Sequence, residues 1–418
     1  MKFIHRPQPA IVKYALGLMV GCSALTMSTQ FVQAQEPAPS SSAPAPTPAE
    51  TPPAAAAALS TPSIAGPLSN LPPLVFDAGF LGKLSVNGVL SGYGLWQGYP
   101  VPGDAGKHAA LTNGQIMVQK PDGWFQWYVQ AGAYDLPSLG APFASTTTTM
   151  TGLYGSVPVA FAKFVKKGTS IQIGALPTMI GAEYSFTFQN MNIERGLLWN
   201  QEPVVSRGIQ VNQAMGKFNA SFSWNDGFYS NKYSWLSGTL AYANGPHVIS
   251  FVAGGNLKET SYQTFATPVQ NNGSIYNLIY TYTKGRWIIN PYFQYTDVPT
   301  NLKAGIAQGG STASGAILAS VAFKHGFSLP VRWEYIASNG TTKQNSVNLL
   351  YGPGSSAMSF TITPTYQSGG FFVRGDVSIV HAISATPGFA FGPSGTNDTQ
   401  PRGTVEIGFI FGNNIAHK

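Results

Sequence analysis

The sequence predicts a membrane-crossing, all-β fold: an antiparallel up-and-down β-barrel of about sixteen strands. Three observations carry that reading. Only 9% of residues are charged while 12% are aromatic, too little charge for an ordinary soluble surface. Apolar and polar residues alternate at period two in one segment after another, which places one face of each segment in an apolar medium. The links between these segments alternate between tight turns and long loops, as they do when every strand crosses a membrane and returns.

The chain opens on a secretory signal, residues 1–34. Lys2, Arg6 and Lys13 form its positive end, residues 14–27 its apolar stretch, and Val32-Gln33-Ala34 a small-residue cleavage site. The single cysteine, Cys22, falls inside it, so the mature chain is expected to hold no disulfide, thiol nucleophile or cysteine-bound metal. Met19-Val20-Gly21-Cys22 also loosely resembles a lipidation box. Residues 35–73 are dominated by Pro, Ala, Ser and Thr and are expected to form a disordered periplasmic spacer, because they offer too little apolar surface to fold.

Residues 74–418 are assigned to the barrel. They contain no run of 18 apolar residues, which argues against a bundle of spanning helices. Strands are expected near 83–96, 113–120, 123–132, 157–167, 169–176, 204–214, 217–226, 234–243, 247–256, 275–284, 286–297, 313–324, 327–337, 357–367, 369–381 and 403–412. Tight turns such as Pro121-Asp122-Gly123, Lys167-Gly168 and Asn244-Gly245-Pro246 alternate with long loops such as 133–156, 177–203 and 382–402. Residues 346–351 could instead pair, which would change the count. An even number of strands returns both ends to one rim. Closure follows because hydrocarbon offers no partner to an unpaired strand edge.

Parity then sorts the side chains. Phe218, Phe222, Trp224, Trp333, Tyr335, Val405, Ile407 and Phe409 share outward faces, whereas Lys217, Arg332, Glu334, Arg374, Asp376 and Glu406 fall on the opposite, lumen-facing parity. A mid-depth charge facing lipid costs about 2–4 kcal/mol, so inward placement is favoured. Arg332/Glu334 and Arg374/Asp376 are opposite charges two residues apart on one face. They could set up a transverse field across a pore or neutralise each other and stiffen the wall. Arg207 shares parity with Ile209 and Val211 and therefore belongs at a rim. Aromatics near strand ends, among them Tyr93, Trp96, Trp124, Tyr128 and Trp287, suit interfacial girdles.

The loop 177–203 differs from the others. It carries Tyr184, Phe186, Phe188, Met191, Leu197, Leu198 and Trp199 beside Glu183, Glu194, Arg195 and Glu202. So much apolar mass has little reason to be solvated and good reason to fold against the wall. Glu183, Glu194 and Arg195 are the candidates for a constriction, or for ion pairs that pin the loop.

The segments Gly181-Ala182-Glu183-Tyr184, Asn192-Ile193-Glu194-Arg195-Gly196-Leu197, Ser206-Arg207-Gly208-Ile209-Gln210-Val211 and Ser223-Trp224-Asn225-Asp226-Gly227-Phe228 resemble the family of putative β-barrel porins of Gram-negative outer membranes. Similar features return at Arg332-Trp333-Glu334-Tyr335 and Arg374-Gly375-Asp376-Val377. The resemblance covers about 75–412 and implies a porin-like channel in the cell outer membrane, without catalytic residues or a defined substrate.

The six histidines are scattered, and there is no H-E-x-x-H, G-x-S-x-G, phosphate loop or dinucleotide fingerprint. No catalytic residue, metal or cofactor is therefore expected. The net charge is +7, of which Lys2, Arg6 and Lys13 supply three. The remainder is mild and does not fit a nucleic-acid partner. The expected function is passive diffusion of small hydrophilic solutes through a water-filled channel in outer-membrane lipid, with a homotrimer as the assembly that analogy suggests. The alternatives are a plugged structural or adhesive barrel, and a hydrolase with a site assembled at the rim.

Overall fold

A computed structural model describes residues 66–259 and 268–413. The expected signal, and the spacer as far as residue 65, lie outside the described residues. The strands are β1 (Leu74–Asp77), β2 (Lys83–Gln97), β3 (Lys107–Lys120), β4 (Phe125–Tyr134), β5 (Val159–Lys166), β6 (Thr169–Pro177), β7 (Val205–Met215), β8 (Phe218–Asn225) and β9 (Trp235–Asn244). They continue as β10 (His247–Asn256), β11 (Ser274–Lys284), β12 (Trp287–Val298), β13 (Gly310–Ala322), β14 (Phe327–Ser338), β15 (Ser356–Ile362), β16 (Thr365–Ser368), β17 (Phe371–Ser384) and β18 (Thr399–Phe411).

From β2 onward each strand pairs antiparallel with its sequence neighbour, and β18 pairs back onto β2 from Phe411↔Gly88 to Arg402↔Gln97. The cylinder is closed, so no spanning edge is left unpaired. β15 and β16 are two halves of one staff: both lie between β14 and β17. Pro364, which has no N–H to give to the ladder, sits at the break. Counting them once, and setting aside the short β1, gives the expected sixteen staves.

Alternation sorts the faces as expected. Trp224, Trp333, Val405, Ile407 and Phe409 are each about half exposed on the outside, while Arg332, Glu334, Arg374, Asp376 and Glu406 are buried inside. Two expected girdle residues face inward instead: Tyr93 and Tyr128 are buried, and they donate hydrogen bonds to Asp135 (2.7 Å) and Gln130 (2.7 Å). Some boundaries also move. β3 begins at Lys107 and β18 at Thr399, so two loops are shorter than the sequence suggested. Residues 346–351 stay unpaired as a strand, apart from one isolated bridge, Gln308↔Ser346.

The expected spacer does not run free up to residue 73. Leu68 and Leu71 are buried against Val89, Met117, Phe372 and Ile410. Ser69 exchanges hydrogen bonds with the Gln367 side chain at 2.7 and 2.9 Å, and the Leu71 carbonyl accepts from Asn87. This strap crosses the barrel mouth at the rim of short turns. It leads into β1, which pairs with β2 (Leu74↔Val86 to Asp77↔Lys83) just beyond the end of β18.

Val405→Arg, which puts a guanidinium on the lipid face midway along β18, is expected to cost about 2–4 kcal/mol. Urea unfolding in phospholipid vesicles measures this.

Candidate functional site: an inward loop and the wall it covers

The loop between β6 and β7 runs from 178 to 204, because β6 continues through Pro177 and β7 begins at Val205. It turns into the lumen. Met191, Leu197 and Leu198 pack in a cluster with Tyr292, Leu318 and Ile336, while Phe186, Phe188 and Trp199 pack with Met117, Tyr134 and Phe161. Burying this many large side chains supplies most of the hold, at about 1.5–3 kcal/mol for each one fully covered.

Charge fixes the register. Arg332 on β14 pairs with Glu183 (2.7 Å), donates to the Glu194 carbonyl (2.8 Å) and lies 3.3 Å from Glu334. Glu334 accepts from the backbone N–H groups of Leu197 (3.0 Å) and Leu198 (3.2 Å) and from the Ser359 hydroxyl (2.6 Å). On β17, Asp376 accepts from the Glu194 N–H (2.9 Å), and Arg374 donates to the carbonyls of Asn190 (3.0 Å) and Thr187 (2.9 Å) while pairing with Glu406 on β18. Arg402 joins Glu194 (2.7 Å) to the carbonyls of Ser138 (2.9 Å) and Ala141 (2.8 Å) in the β4–β5 loop. Buried charges survive only when partners satisfy them in this way.

Glycine permits the close approach. A Cβ on Gly196 would stand 2.0 Å from the Glu334 carboxylate, and one on Gly181, whose φ is +84°, 1.8 Å from that of Glu202.

Some buried polar groups in the loop have no partner. Both oxygens of Glu202 and all three guanidinium nitrogens of Arg195 lack hydrogen bonds, although Arg195 lies 5.2 Å from the centre of the Trp199 ring. Around the loop, the buried carboxyls Asp135, Glu183, Glu194, Glu202, Glu334, Asp376 and Glu406 outnumber the buried guanidiniums Arg195, Arg332, Arg374 and Arg402. Burial, with Glu183 and Glu334 close by, raises the Glu202 carboxyl well above its ordinary 4.5.

The sequence-derived candidates thus divide. Glu183, Glu194, Arg332, Glu334, Arg374, Asp376 and Glu406 come together in one network, and the Arg195 guanidinium lies among them without a hydrogen bond. Lys217, expected on the lumen face, instead precedes β8 in a tight turn; its side chain is exposed and donates to Asn244 (2.7 Å). A two-residue turn takes it out of the alternation. Arg207 lies at the far rim, paired with Asp226 at 2.7 Å. Sequence reading missed Arg402, which shares the parity of Glu406 but fell just before the expected strand start. It also missed Asp135, which lies in a loop without alternation.

The lumen has a second, different half. On the turn-rim side of β5–β12 several inward polar side chains, Lys163, Gln172, Gln210, Ser250, Thr281 and Asn290, are partly exposed, whereas Asn212, Asn219 and Ser221 on β7 and β8 are buried. A small gap of about 10 Å³ lies between the loop roots (Met179, Ile180 and Pro203) and Gln210, Ser223, Asn225 and Ser237 on β7–β9. That is room for about one water molecule.

A closed sixteen-stave barrel with one loop folded inward invites comparison with known proteins. Residues 83–411, from the start of β2 to the end of β18, match the family described as Putative beta-barrel porin-2, OmpL-like. The chain belongs to this porin family. Its fold is that of solved outer-membrane porins. OmpT of Vibrio cholerae superposes with a TM-score of 0.54 at 10% identity, over 81% of this chain and 100% of that one. OmpF of Salmonella typhi gives 0.52 at 13% identity, over 79% and 98%. A trimer form of the Vibrio cholerae OmpT gives 0.51 at 9%, over 78% and 99%. No curated protein matches the chain.

Arg332→Ala strands the Glu183 and Glu334 carboxylates in the interior and is expected to cost about 3–5 kcal/mol. Limited proteolysis in detergent should then cut within 178–204, where the native loop resists. Glu202→Gln has an effect that depends on pH. A carboxyl with a raised folded pKa adds stability below its unfolded pKa of about 4.5 and loses it as pH rises through the folded value. The substitution should therefore flatten the loss of stability on the alkaline side, as read from urea midpoints in vesicles at stepped pH.

Proposed function

We propose that this porin is a passive, water-filled outer-membrane channel for small hydrophilic solutes, with the 178–204 loop setting its size limit. In this reading a cleaved signal exports the chain, enzymatic chemistry plays no part, and the assembly is a homotrimer like the trimer form of Vibrio cholerae OmpT. One observation carries it: partly exposed polar side chains on β5–β7 and β10–β12 (Lys163, Gln172, Gln210, Ser250, Thr281 and Asn290) point into the same lumen as the small gap beside β7–β9. A purely structural barrel has no need of such side chains there.

The loop's attachments are uneven. Its ion pairs run to β14 and β18 and its Glu194 N–H to Asp376 on β17, whereas Met179, Ile180 and Pro203 at its roots line the gap on the β7–β9 side. Small displacements of these roots widen the gap and leave the charged anchor in place. The gap's small size also favours a second reading, a plugged structural or adhesive barrel.

Planar-bilayer recording separates the two. The channel reading expects small conductance steps from the full chain and markedly larger ones after deletion of residues 183–199. A plugged barrel would give no steps until that deletion.

A further inference from the structure

We propose that the open half of the bore favours small anions over small cations, with Lys163 as the residue that sets the sign. This rests on the channel reading above and adds the class of ion that passes.

The inference starts from where lumen charge meets water. The carboxylates that face the lumen on β14, β17 and β18 are Glu334, Asp376 and Glu406, and all are buried beneath the loop. They accept hydrogen bonds from Leu197, Glu194 and Thr187 of that loop. Whatever field they generate is spent on Arg332, Arg374 and the loop backbone. Glu202, near the loop root, is likewise buried.

The open face is chemically different. Along β5–β12 its partly exposed polar side chains are amides and hydroxyls (Ser170, Gln172, Gln210, Ser250, Thr281 and Asn290), with one exception. Lys163, midway along β5, shares the inward parity of Phe161, and its strand neighbours in register are Gln126 and Gln172. Among the described residues Lys163 makes no ion pair. Among the described residues its ammonium is therefore the one fixed charge on the partly exposed inward face of β5–β12.

The mouth below it has the same sign. Lys166, Lys167, Lys217, Lys284, Arg286 and Lys324 stand exposed in or beside the short turns. The acids of that rim among the described residues are Asp77 and Asp122, and Asp122 is already paired with Lys120 (3.1 Å). A cationic mouth raises the local concentration of anions, and an unpaired cation between low-dielectric walls carries that preference inward.

The test is the reversal potential of single channels in a potassium chloride gradient. The native protein should reverse towards the chloride equilibrium potential. Lys163→Gln should move it part of the way towards zero, leaving the contribution of the mouth, and Lys163→Glu should carry it across zero. Lys163→Cys is a second route that avoids burying a new charge during folding, because Cys22 is the only cysteine in the sequence. A cationic thiol reagent should restore anion preference to that variant and an anionic one should reverse it.

Channels that reverse on the cation side, or whose reversal potential ignores the charge at 163, would overturn the inference and leave the channel reading standing. Complete absence of conductance in the native protein and in the 183–199 deletion would remove both.

Discussion

The arrangement of the lumen depends on Arg332 being neutralised from two directions. Glu334 approaches from its own strand and Glu183 from the loop, so the guanidinium is satisfied only when the loop is in place. Desolvating such a group costs several kcal/mol unless partners meet it. The wall therefore specifies the loop's position much more sharply than hydrophobic contact could, because apolar surfaces can slide past one another and a buried ion pair cannot. The main-chain N–H groups of Glu194, Leu197 and Leu198 complete the arrangement by giving Asp376 and Glu334 donors that move only with the backbone.

The ionic lock has a geometric effect on the rest of the lumen. Holding the loop against β14, β17 and β18 withdraws it from the turn-rim half of β5–β12. Charge on β14, β17 and β18 is sealed beneath the loop, while the partly exposed polar side chains of β5–β12 are amides and hydroxyls with Lys163 as the exception. The charged residues of β14, β17 and β18 hold the loop, so under the proposed channel reading the permeation surface falls to side chains that attract no notice in a sequence.

The sequence made the cylinder legible because lipid outside and water or a packed loop inside impose period two, and a spanning strand must turn sharply at one rim. The inward loop was legible for a similar reason: Phe186, Phe188 and Leu197 cannot remain in water. Its choice of wall was not, since nothing local in Glu183 says that its partner lies 149 residues away on β14. Tyr93 and Tyr128 were misread as girdle residues because proximity to a strand end was weighed above parity, and their hydroxyls in fact meet buried acceptors. Lys217 failed in the opposite way, since parity was extended one residue into a turn where it no longer applies.

The strap that precedes β1 has a consequence for assembly. Leu71 and Pro72 meet Asn87 of β2 and Asn413 just past β18, while Ser69 reaches Gln367 of β16. These groups come from opposite ends of the chain and share a neighbourhood only once the first and last staves have zipped together. The berth does not exist beforehand. Its occupancy reports that the circle is complete, and once filled it joins both ends of the seam like a hasp across a lid.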